Sequence, residues 1–257
     1  GYYQWKFFGL SEKFFYDILS VKGAVFMYSL NIKDRILYED KDILVCHKPA
    51  GLAVQNARIG AMDLESMLKN YISTKNPDKM PYLAVVHRLD QPVEGILVFA
   101  LNQKAAASLS SQMAGKDASK KYLAVTDRIP ENTEGILEDY LKKEPKGNIS
   151  AVVSKGTKGA KKARLAYKVL ETFQDQRTGT GKRVFVEIHL ETGRHHQIRV
   201  QMSNAGMPLL GDRKYNPEDH SKFPLGLCAV SLSFRHPGNE KKMEFQIIPE
   251  GETFQKG

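Results

Sequence analysis

The segment His87-Arg88-Leu89-Asp90 lies between two apolar runs, Leu83–Val86 and Ile96–Leu101. Each run has the length and composition of a buried β-strand, and Gly95 indicates a turn between them. An arginine and an aspartate that emerge together between buried strands are costly to desolvate unless they are paired or used in function. The sequence therefore predicts a strand, a polar loop and a second strand, with the carboxylate of Asp90 held in the loop.

This polar loop offers few groups for catalysis. Asp90 is the carboxylate best suited to act as nucleophile or base, and Glu94 is its nearest rival. An ordinary ion pair that fastens the loop is the structural alternative. The sequence shows no nucleophile elbow, phosphate-binding glycine loop or paired metal-ligand motif. His195 and His196 are adjacent, so we expect their rings to point about 100° apart on a helix, or to opposite faces of a strand. We predict no metal and no cofactor.

Composition points to a soluble globular protein. The 257 residues are 42% hydrophobic and 26% charged, which excludes disordered, collagen-like and coiled-coil chains. The apolar runs are too short to cross a bilayer, and we find no secretion signal. Two cysteines, Cys46 and Cys228, cannot build a disulfide framework. We therefore predict a cytoplasmic protein with no membrane partner, and favour a monomer.

The charge balance favours a polyanionic partner. Lysine and arginine number 38 against 29 acidic residues, for a net charge of +9. Such a balance suits nucleic acid through neutralisation of phosphates, although many basic proteins bind nothing charged. Residues 155–164 carry five positive charges in ten residues and no acid. We interpret them as a mobile basic loop that leads into a strand; a solvated charged turn is the alternative.

The periodicity along the chain indicates an α+β fold. Asp63 is a candidate N-cap for a helix with one apolar face, and Lys104–Met113 is predicted to be a second helix. Strands are predicted at Arg35–Glu39, Ile43–Cys46, Leu83–Val86, Ile96–Leu101, Tyr122–Val125, Leu165–Leu170 and Val184–Leu190, with a hairpin at Leu227–Phe234 and Met243–Ile248. We divide the chain into an aromatic-rich N-terminal extension (residues 1–34), one catalytic domain (35–250) and a C-terminal tail (251–257).

Four segments, in order, resemble the signature blocks of the RluA-type pseudouridine synthases. The first contains Lys48-Pro49-Ala50-Gly51, and the second is His87-Arg88-Leu89-Asp90 followed by Gly95. The third is Lys121-Tyr122-Leu123-Ala124-Val125. The fourth is Thr192-Gly193-Arg194-His195-His196-Gln197-Ile198-Arg199, followed by Gly211-Asp212. One such block is a weak signal, but four in order over residues 35–250 are a specific one.

The resemblance implies the pseudouridine synthase fold, a mixed and mostly antiparallel sheet with flanking helices around a central cleft. It implies isomerisation of uridine in rRNA or tRNA without a cofactor, with Asp90 as the catalytic carboxylate. Arg194 is implied as the cation beside Asp90, with Arg199 as the second candidate. Tyr122 would offer an aromatic face and a base for the carbon-5 proton, and Ile198 would pack on the other side of the uracil.

Arg88 is our candidate for filling the space of an extruded uridine or for holding the flanking phosphate. Two departures from the family pattern bear on the site: Val93-Glu94-Gly95 replaces a Thr-Ser-Gly turn, and His195 stands where a small polar residue is usual. Two other functions are therefore considered. One is a catalytically silent RNA-binding protein of the same fold, and the other is a metal-free ribonuclease that uses His87, His195 or His196 as acid and base.

Overall fold

The computed structural model describes residues 30–55, 62–115 and 117–256. Contacts along the backbone divide the chain into residues 1–31 and a compact unit of residues 32–257. The aromatic-rich residues 1–27, and with them most of the predicted extension, lie outside the described residues. In the part that is described, we find no helix with the length and hydropathy needed to cross a bilayer.

The described residues form three α-helices and eleven strands. The helices are α1 (Leu64–Lys75), α2 (Gln103–Ala114) and α3 (Gln197–Asn204). The strands are β1 (Ile36–Glu39), β2 (Ile43–Lys48), β3 (Ala84–Val85), β4 (Glu94–Ala100), β5 (Ser119–Thr126), β6 (Glu134–Lys143), β7 (Ser150–Val153), β8 (Lys161–Gln174), β9 (Lys182–Leu190), β10 (Leu227–Arg235) and β11 (Lys242–Gln246).

All eleven strands belong to one sheet. Its order is β1-β2-β4-β10-β5-β9-β8-β6-β7, with β3 paired to β4 and β11 paired to β10. The pairing of β4 with β10 is parallel, and every other pairing is antiparallel. The prediction of an α+β fold with a mixed, mostly antiparallel sheet is confirmed.

The helices begin where local chemistry predicts. The side chain of Asp63 accepts a hydrogen bond from Ser66 N, which caps α1 as expected. Asn102 caps α2 in the same way, through Ala105 N. The buried face of α1 presents Leu64 and Leu68, both fully buried, and each such side chain stabilises the fold by about 1.5–3 kcal/mol relative to an exposed one.

The sheet is covered on both faces, so strand β4 is buried throughout. Leu97 and Phe99 join the apolar cluster that includes residues of α1 and α3, whereas Ile96 and Val98 join the cluster that includes residues of α2. The sequence of a strand covered on both faces is a nearly continuous apolar run, and this explains the pattern of Ile96–Leu101. The first of these clusters also contains Tyr122 and Ile198, two of the predicted site residues.

Gly95 stands where β4 meets β10. A Cβ atom at this position would lie 2.4 Å from the Cβ of Ala229, and the φ of Gly95 is +150°. Only glycine combines this backbone conformation with so close an approach of two strands. The glycine that follows the Asp90 loop is therefore required by the parallel pairing at the centre of the sheet.

Several elements differ from the sequence predictions. Strands β6 and β7 were not predicted, because β6 carries many charges and alternates between exposed and half-buried positions. The first apolar run, Leu83–Val86, keeps only the two residues of β3 in the sheet. The basic segment 155–164 is a loop only as far as residue 160, since Lys161 begins the long strand β8 and pairs with Leu141 of β6.

The C-terminal residues 251–256 are held against the sheet by a buried side chain. The fully buried Arg183 donates hydrogen bonds to the carbonyl oxygens of Thr253 and Gln255, at 2.9 and 2.8 Å. Arg183 is itself paired with Asp175 at 2.6 Å. The hydrogen bonds from Arg177, and then the charge of Arg183, lower the pKa of Asp175 to about 2. The segment is therefore held by a buried cation whose charge is compensated.

Candidate active site

Asp90 lies in the loop between β3 and β4, with its side chain 28% exposed. The carbonyl oxygen of Asp90 accepts a hydrogen bond from Val93 N at 2.9 Å, which closes the turn. The fully buried Lys48 donates to the carbonyl oxygens of Gln91 at 3.1 Å and Leu52 at 2.7 Å. Burial lowers the pKa of Lys48 to about 8. Lys48 thus ties the end of β2 to the residue that follows Asp90.

His87 fastens the other end of this loop. Its Nε2 accepts a hydrogen bond from Val98 N at 3.0 Å, so this nitrogen carries no proton. Burial lowers the pKa of the imidazole to about 3, and the ring is neutral at pH 7. The suggestion that His87 acts as acid or base in a ribonuclease is therefore wrong, because its accepting nitrogen is occupied by the backbone of β4.

We expect the unfolding free energy of the His87→Gln variant to fall less at acid pH than that of the wild type. In the unfolded chain His87 binds a proton below its ordinary pKa of 6.5, whereas in the folded protein it does so only below about 3. Stability is therefore retained above pH 6.5 and lost as the pH falls toward 3. A glutamine oxygen can still accept from Val98 N but does not titrate.

Urea unfolding at pH 7 and pH 4.5 measures this effect. The wild type should lose about 2 kcal/mol more unfolding free energy between the two pH values than the His87→Gln variant. The other histidines are common to both proteins and cancel in this difference. Equal pH slopes for the two proteins would contradict the assignment of a neutral His87.

Arg199 is the cation that meets Asp90. Its Nη1 lies 3.1 Å from Asp90 Oδ2, while its Nε and Nη2 each donate to the carboxylate of Asp212 at 2.8 Å. Arg199 is 5% exposed and Asp212 1% exposed. Burial alone would lower the pKa of Arg199, but the two carboxylates raise it. A bidentate pair with a buried carboxylate fixes the plane of the guanidinium, so that one edge remains for Asp90.

Arg194, our first candidate for this pairing, is exposed and lies elsewhere. Its Nε donates to the carbonyl oxygen of Lys162 at 2.9 Å. The reason is local: Arg194 belongs to the turn before α3, whereas Arg199 is on the buried side of the helix itself. The second candidate, Arg199, takes the position that we predicted for Arg194.

Two further side chains surround the Asp90–Arg199 pair. His196 Nε2 lies 3.5 Å from Asp90 Oδ2, and His196 Nδ1 lies 2.7 Å from the hydroxyl of Tyr215. The ring of Tyr215 also faces the guanidinium of Arg199, at 5.2 Å from Cζ to the ring centroid. Sequence reasoning did not assign Tyr215; its signal was its place three residues after Gly211-Asp212.

The adjacent histidines do not point apart as expected. The rings of His195 and His196 are stacked, with centroids 3.8 Å apart and an interplanar angle of 22°. His196 has a left-handed backbone conformation, φ +53°, so the pair follows neither helix nor strand geometry. His195 contacts Ser150 Oγ at 2.8 Å and Asn148 Oδ1 at 3.0 Å, beside the turn between β6 and β7.

Tyr122 and Ile198 belong to one apolar cluster, as the base-binding prediction requires. Tyr122 is on β5 and 8% exposed, and Ile198 is on α3 and 5% exposed. Burial raises the pKa of the Tyr122 phenol, and the charge of Asp90 raises it further. Tyr122 is therefore a neutral phenol near the Asp90 carboxylate.

Arg88 and Glu94 flank Asp90 in sequence but have different environments. Arg88 is exposed on the loop, so it is available to a ligand. Glu94 is only 3% exposed: it lies 2.8 Å from His47 Nε2 and accepts hydrogen bonds from Glu250 N and Gly251 N. The carboxylate of Glu94, which we expected near the cleft, therefore lies in the interior. There its hydrogen bonds connect β4 to the C-terminal segment.

The described residues contain one cluster with metal-ligand geometry, formed by Asp40, Asp42 and His236. The oxygens of Asp40 are already engaged, because Oδ1 accepts from the backbone N–H groups of Asp42 and Ile43, and Oδ2 lies 2.8 Å from His236 Nε2. The cluster fastens the β1–β2 turn and is not part of the candidate site.

A basic surface adjoins the site. Residues 142–164 include eight lysines and arginines and a single acidic residue, Glu144. Lys162 and Arg164 are paired with Glu138. The other six basic residues of this stretch are Lys142, Lys143, Lys146, Lys155, Lys158 and Lys161. We refer to residues 142–164 as the basic hairpin region.

Comparison with solved structures defines the fold. The human protein "RNA Pseudouridylate Synthase Domain Containing 4" is similar over 85% of this chain and 90% of that chain, with a TM-score of 0.68 and 24% identity. The human "RNA Pseudouridylate Synthase Domain Containing 1" is similar over 84% and 83% of the two chains, with a TM-score of 0.65 and 22% identity. The sheet and helices therefore form a pseudouridine synthase fold.

Sequence comparison defines the family. A profile of the RNA pseudouridylate synthase family matches residues 42–204. "Uncharacterized RNA pseudouridine synthase YlyB" of Bacillus subtilis is 34% identical over 219 residues, which are 84% of this chain and 69% of that protein. "Ribosomal large subunit pseudouridine synthase C" of Buchnera aphidicola subsp. Schizaphis graminum is 30% identical over 84% and 67% of the two chains, and "Ribosomal large subunit pseudouridine synthase D" of Pseudomonas aeruginosa is 37% identical over 72% and 54%.

The chain therefore belongs to the RNA pseudouridylate synthase family, in its RluA-type branch, and is an isomerase that converts uridine in RNA to pseudouridine. The predicted family, fold and reaction are confirmed. A catalytically silent RNA-binding protein is not favoured.

Proposed function

We propose that this isomerase acts on ribosomal RNA, with Asp90 as its catalytic carboxylate and Arg199 as the cation that orients it. The observation that carries the proposal is the 3.1 Å contact between Arg199 Nη1 and Asp90 Oδ2, at a carboxylate that remains 28% exposed. The guanidinium places a fixed positive charge and a directed N–H donor beside one oxygen of this carboxylate. The relatives named for the large ribosomal subunit support ribosomal RNA as the substrate class.

The reaction is an isomerisation, so atoms must balance within one nucleotide. The bond from N1 of uracil to C1′ of the sugar breaks, and a bond from C5 to the same C1′ forms. The proton leaves C5, and N1 finally gains one. Asp90 takes part either by adding to the base or by acting at the sugar, and its negative charge serves both routes.

Tyr122 and Ile198 provide the surface on which we propose that the detached uracil turns. Both are nearly buried, which suits a flat apolar base. We propose that the Tyr122 oxygen takes up the C5 proton after the phenol has passed its own proton on, so that N1 of the uracil gains the one proton that C5 loses. The pKa of Tyr122 is raised partly by the charge of Asp90, and bonding of Asp90 to the substrate would remove that charge and lower the pKa when the proton must leave.

RNA binding is proposed to use Arg88 and the basic hairpin region. The target uridine must leave its stack, at a cost of a few kcal/mol, and the exposed Arg88 lies beside the catalytic loop to fill the space or hold the flanking phosphate. The lysines of the hairpin region suit backbone phosphates and carry no base specificity by themselves. An enzyme of ribosomal RNA acts where that RNA is found, and the cytoplasm is the location that we propose.

The experiment compares ribosomal RNA and tRNA transcripts labelled with tritium at C5 of uridine. Purified protein should release tritium from large-subunit ribosomal RNA, and mapping of pseudouridine in cells with and without the protein should reveal lost sites in that RNA. Release from tRNA alone would contradict ribosomal RNA as the substrate, and release by an Asp90→Asn variant would contradict the role of Asp90.

A further inference from the structure

His196 forms a bridge between the catalytic loop and the turn that follows β6. Its side chain is 4% exposed, with Nε2 at 3.5 Å from Asp90 Oδ2 and Nδ1 at 2.7 Å from the hydroxyl of Tyr215. The same hydroxyl accepts a hydrogen bond from the backbone N–H of Ser150 at 2.8 Å. One series of contacts thus connects Ser150 N, Tyr215, His196 and Asp90.

The direction of these hydrogen bonds is argued from the Ser150 end. A backbone N–H can only donate, so the Tyr215 oxygen accepts from Ser150 N, and the acceptor that lies beside its own proton is His196 Nδ1, at 2.7 Å. Burial lowers the pKa of His196 to about 4, so the ring carries one proton at pH 7. That proton is then on Nε2, toward Asp90. The opposite tautomer would turn a nitrogen lone pair to a carboxylate oxygen at 3.5 Å, which is repulsive.

We propose that His196 is a positioning residue for Asp90, which holds the carboxylate through an Nε2–H group whose tautomer is set by Tyr215 and the backbone of Ser150. This inference rests on the proposed catalytic role of Asp90. Arg199 and His196 approach the same oxygen, Asp90 Oδ2, and so leave Oδ1 for the substrate. Two donors on one oxygen fix the rotation of the carboxylate, which a single contact does not.

The stacked His195 supports this arrangement. It covers one face of the His196 ring at 3.8 Å and contacts Asn148 and Ser150 of the basic hairpin region. The ionisable groups that act on His196 are Asp90, which raises its pKa, and Arg199, His195 and Lys214, which lower it. The region that we propose to hold RNA phosphates is therefore joined to the ring that orients the carboxylate.

Steady-state tritium release by two His196 variants tests the proposal. His196→Leu removes the Nε2–H group, and we expect kcat to fall about 10-fold with KM unchanged, because one of the two polar contacts to Asp90 Oδ2 is lost. His196→Gln offers an amide N–H near the Nε2 position, and kcat should recover to within about 3-fold of wild type, since a neutral donor again faces Asp90. His220→Leu, at an exposed histidine of the same C-terminal half, is the matched control and should behave as wild type.

The split between kcat and KM, together with rescue by glutamine, separates positioning from general loosening. Without the Nε2–H group Asp90 Oδ2 loses one of its two contacts, so kcat should fall in His196→Leu at unchanged KM, and His196→Gln should restore kcat. Equal losses in the leucine and glutamine variants, or a loss that follows the melting temperature, would overturn the proposal.

Tyr215→Phe tests the tautomer directly. In wild-type protein labelled with ¹⁵N-histidine, NMR should show His196 protonated on Nε2; the signal is assigned by its absence in His196→Gln. In Tyr215→Phe the fixed partner of Nδ1 is lost, so the two tautomers should mix. Protonation on Nδ1 in the wild type would overturn the inference. Full activity of Asp90→Asn would instead overturn the proposed function, whereas an inactive Asp90→Asn with an unaffected His196→Leu would remove this inference alone.

Discussion

Asp90→Asn is expected to abolish pseudouridine formation while RNA is still bound. The amide keeps the shape of the side chain and can still accept from Arg199 Nη1, but it lacks the negative charge that bonding to substrate or proton transfer requires. Loss of such a group costs about 10⁴-fold or more in kcat. Binding should change by less than about 3-fold, because exposed cations supply most of the affinity for phosphates.

The measurement is single-turnover tritium release, with filter binding of the same RNA. Asp78→Asn is the matched control, since it makes the same chemical change at an exposed carboxylate in the segment between α1 and β3. It should release tritium as the wild type does. A turnover rate of Asp90→Asn within 10-fold of the wild type corresponds to a change of less than about 1.4 kcal/mol in activation free energy. Such a small change would show that another group carries the reaction.

Arg199→Met is expected to damage both the activity and the fold. Arg199 lies between two carboxylates, and Asp212 is only 1% exposed. Removal of one partner of a buried ion pair leaves an uncompensated charge, which costs about 3–5 kcal/mol. Activity should fall by about 10³-fold, because the Asp90 carboxylate loses the guanidinium that contacts and orients its Oδ2.

A double variant separates these two effects. Arg199→Met combined with Asp212→Asn removes both charges of the buried pair, so most of the unfolding free energy should return. Activity should not return, because Asp90 still lacks its cation. Urea unfolding and tritium release on the single and double variants give both quantities. Recovery of activity together with stability would show that Arg199 acts only as a structural residue.

The sequence was informative where local chemistry determines the structure. The cap at Asp63 and the continuous apolar run of β4 follow from hydrogen bonding and burial within a short stretch, and both were predicted correctly. The motif blocks drew attention to the Asp90 loop and to Tyr122. The family and its reaction came from the order of these blocks, since no single block is specific.

Prediction from the sequence failed where contacts between residues far apart in the chain determine the structure. Arg194 and Arg199 are both part of the same block, and only the start of α3 at Gln197 shows which of them faces Asp90. The left-handed conformation of His196 leaves no signal in the residue type, so the stacking of two adjacent histidines was not foreseen. Strand β6 alternates between exposed and half-buried positions and β7 has only four residues, and the pairing of β6 with both β7 and β8 becomes visible only in the sheet.

The place of β10 in the sheet has a consequence for synthesis on the ribosome. This strand, residues 227–235, is inserted between β4 and β5, which are made more than a hundred residues earlier. Until it emerges, the two halves of the sheet have no common neighbour, and Gly95 has no strand to approach. A nascent chain therefore cannot join β4 to β5 through this strand until residues 227–235 have been made, so the centre of the sheet forms later than the strands on either side of it could.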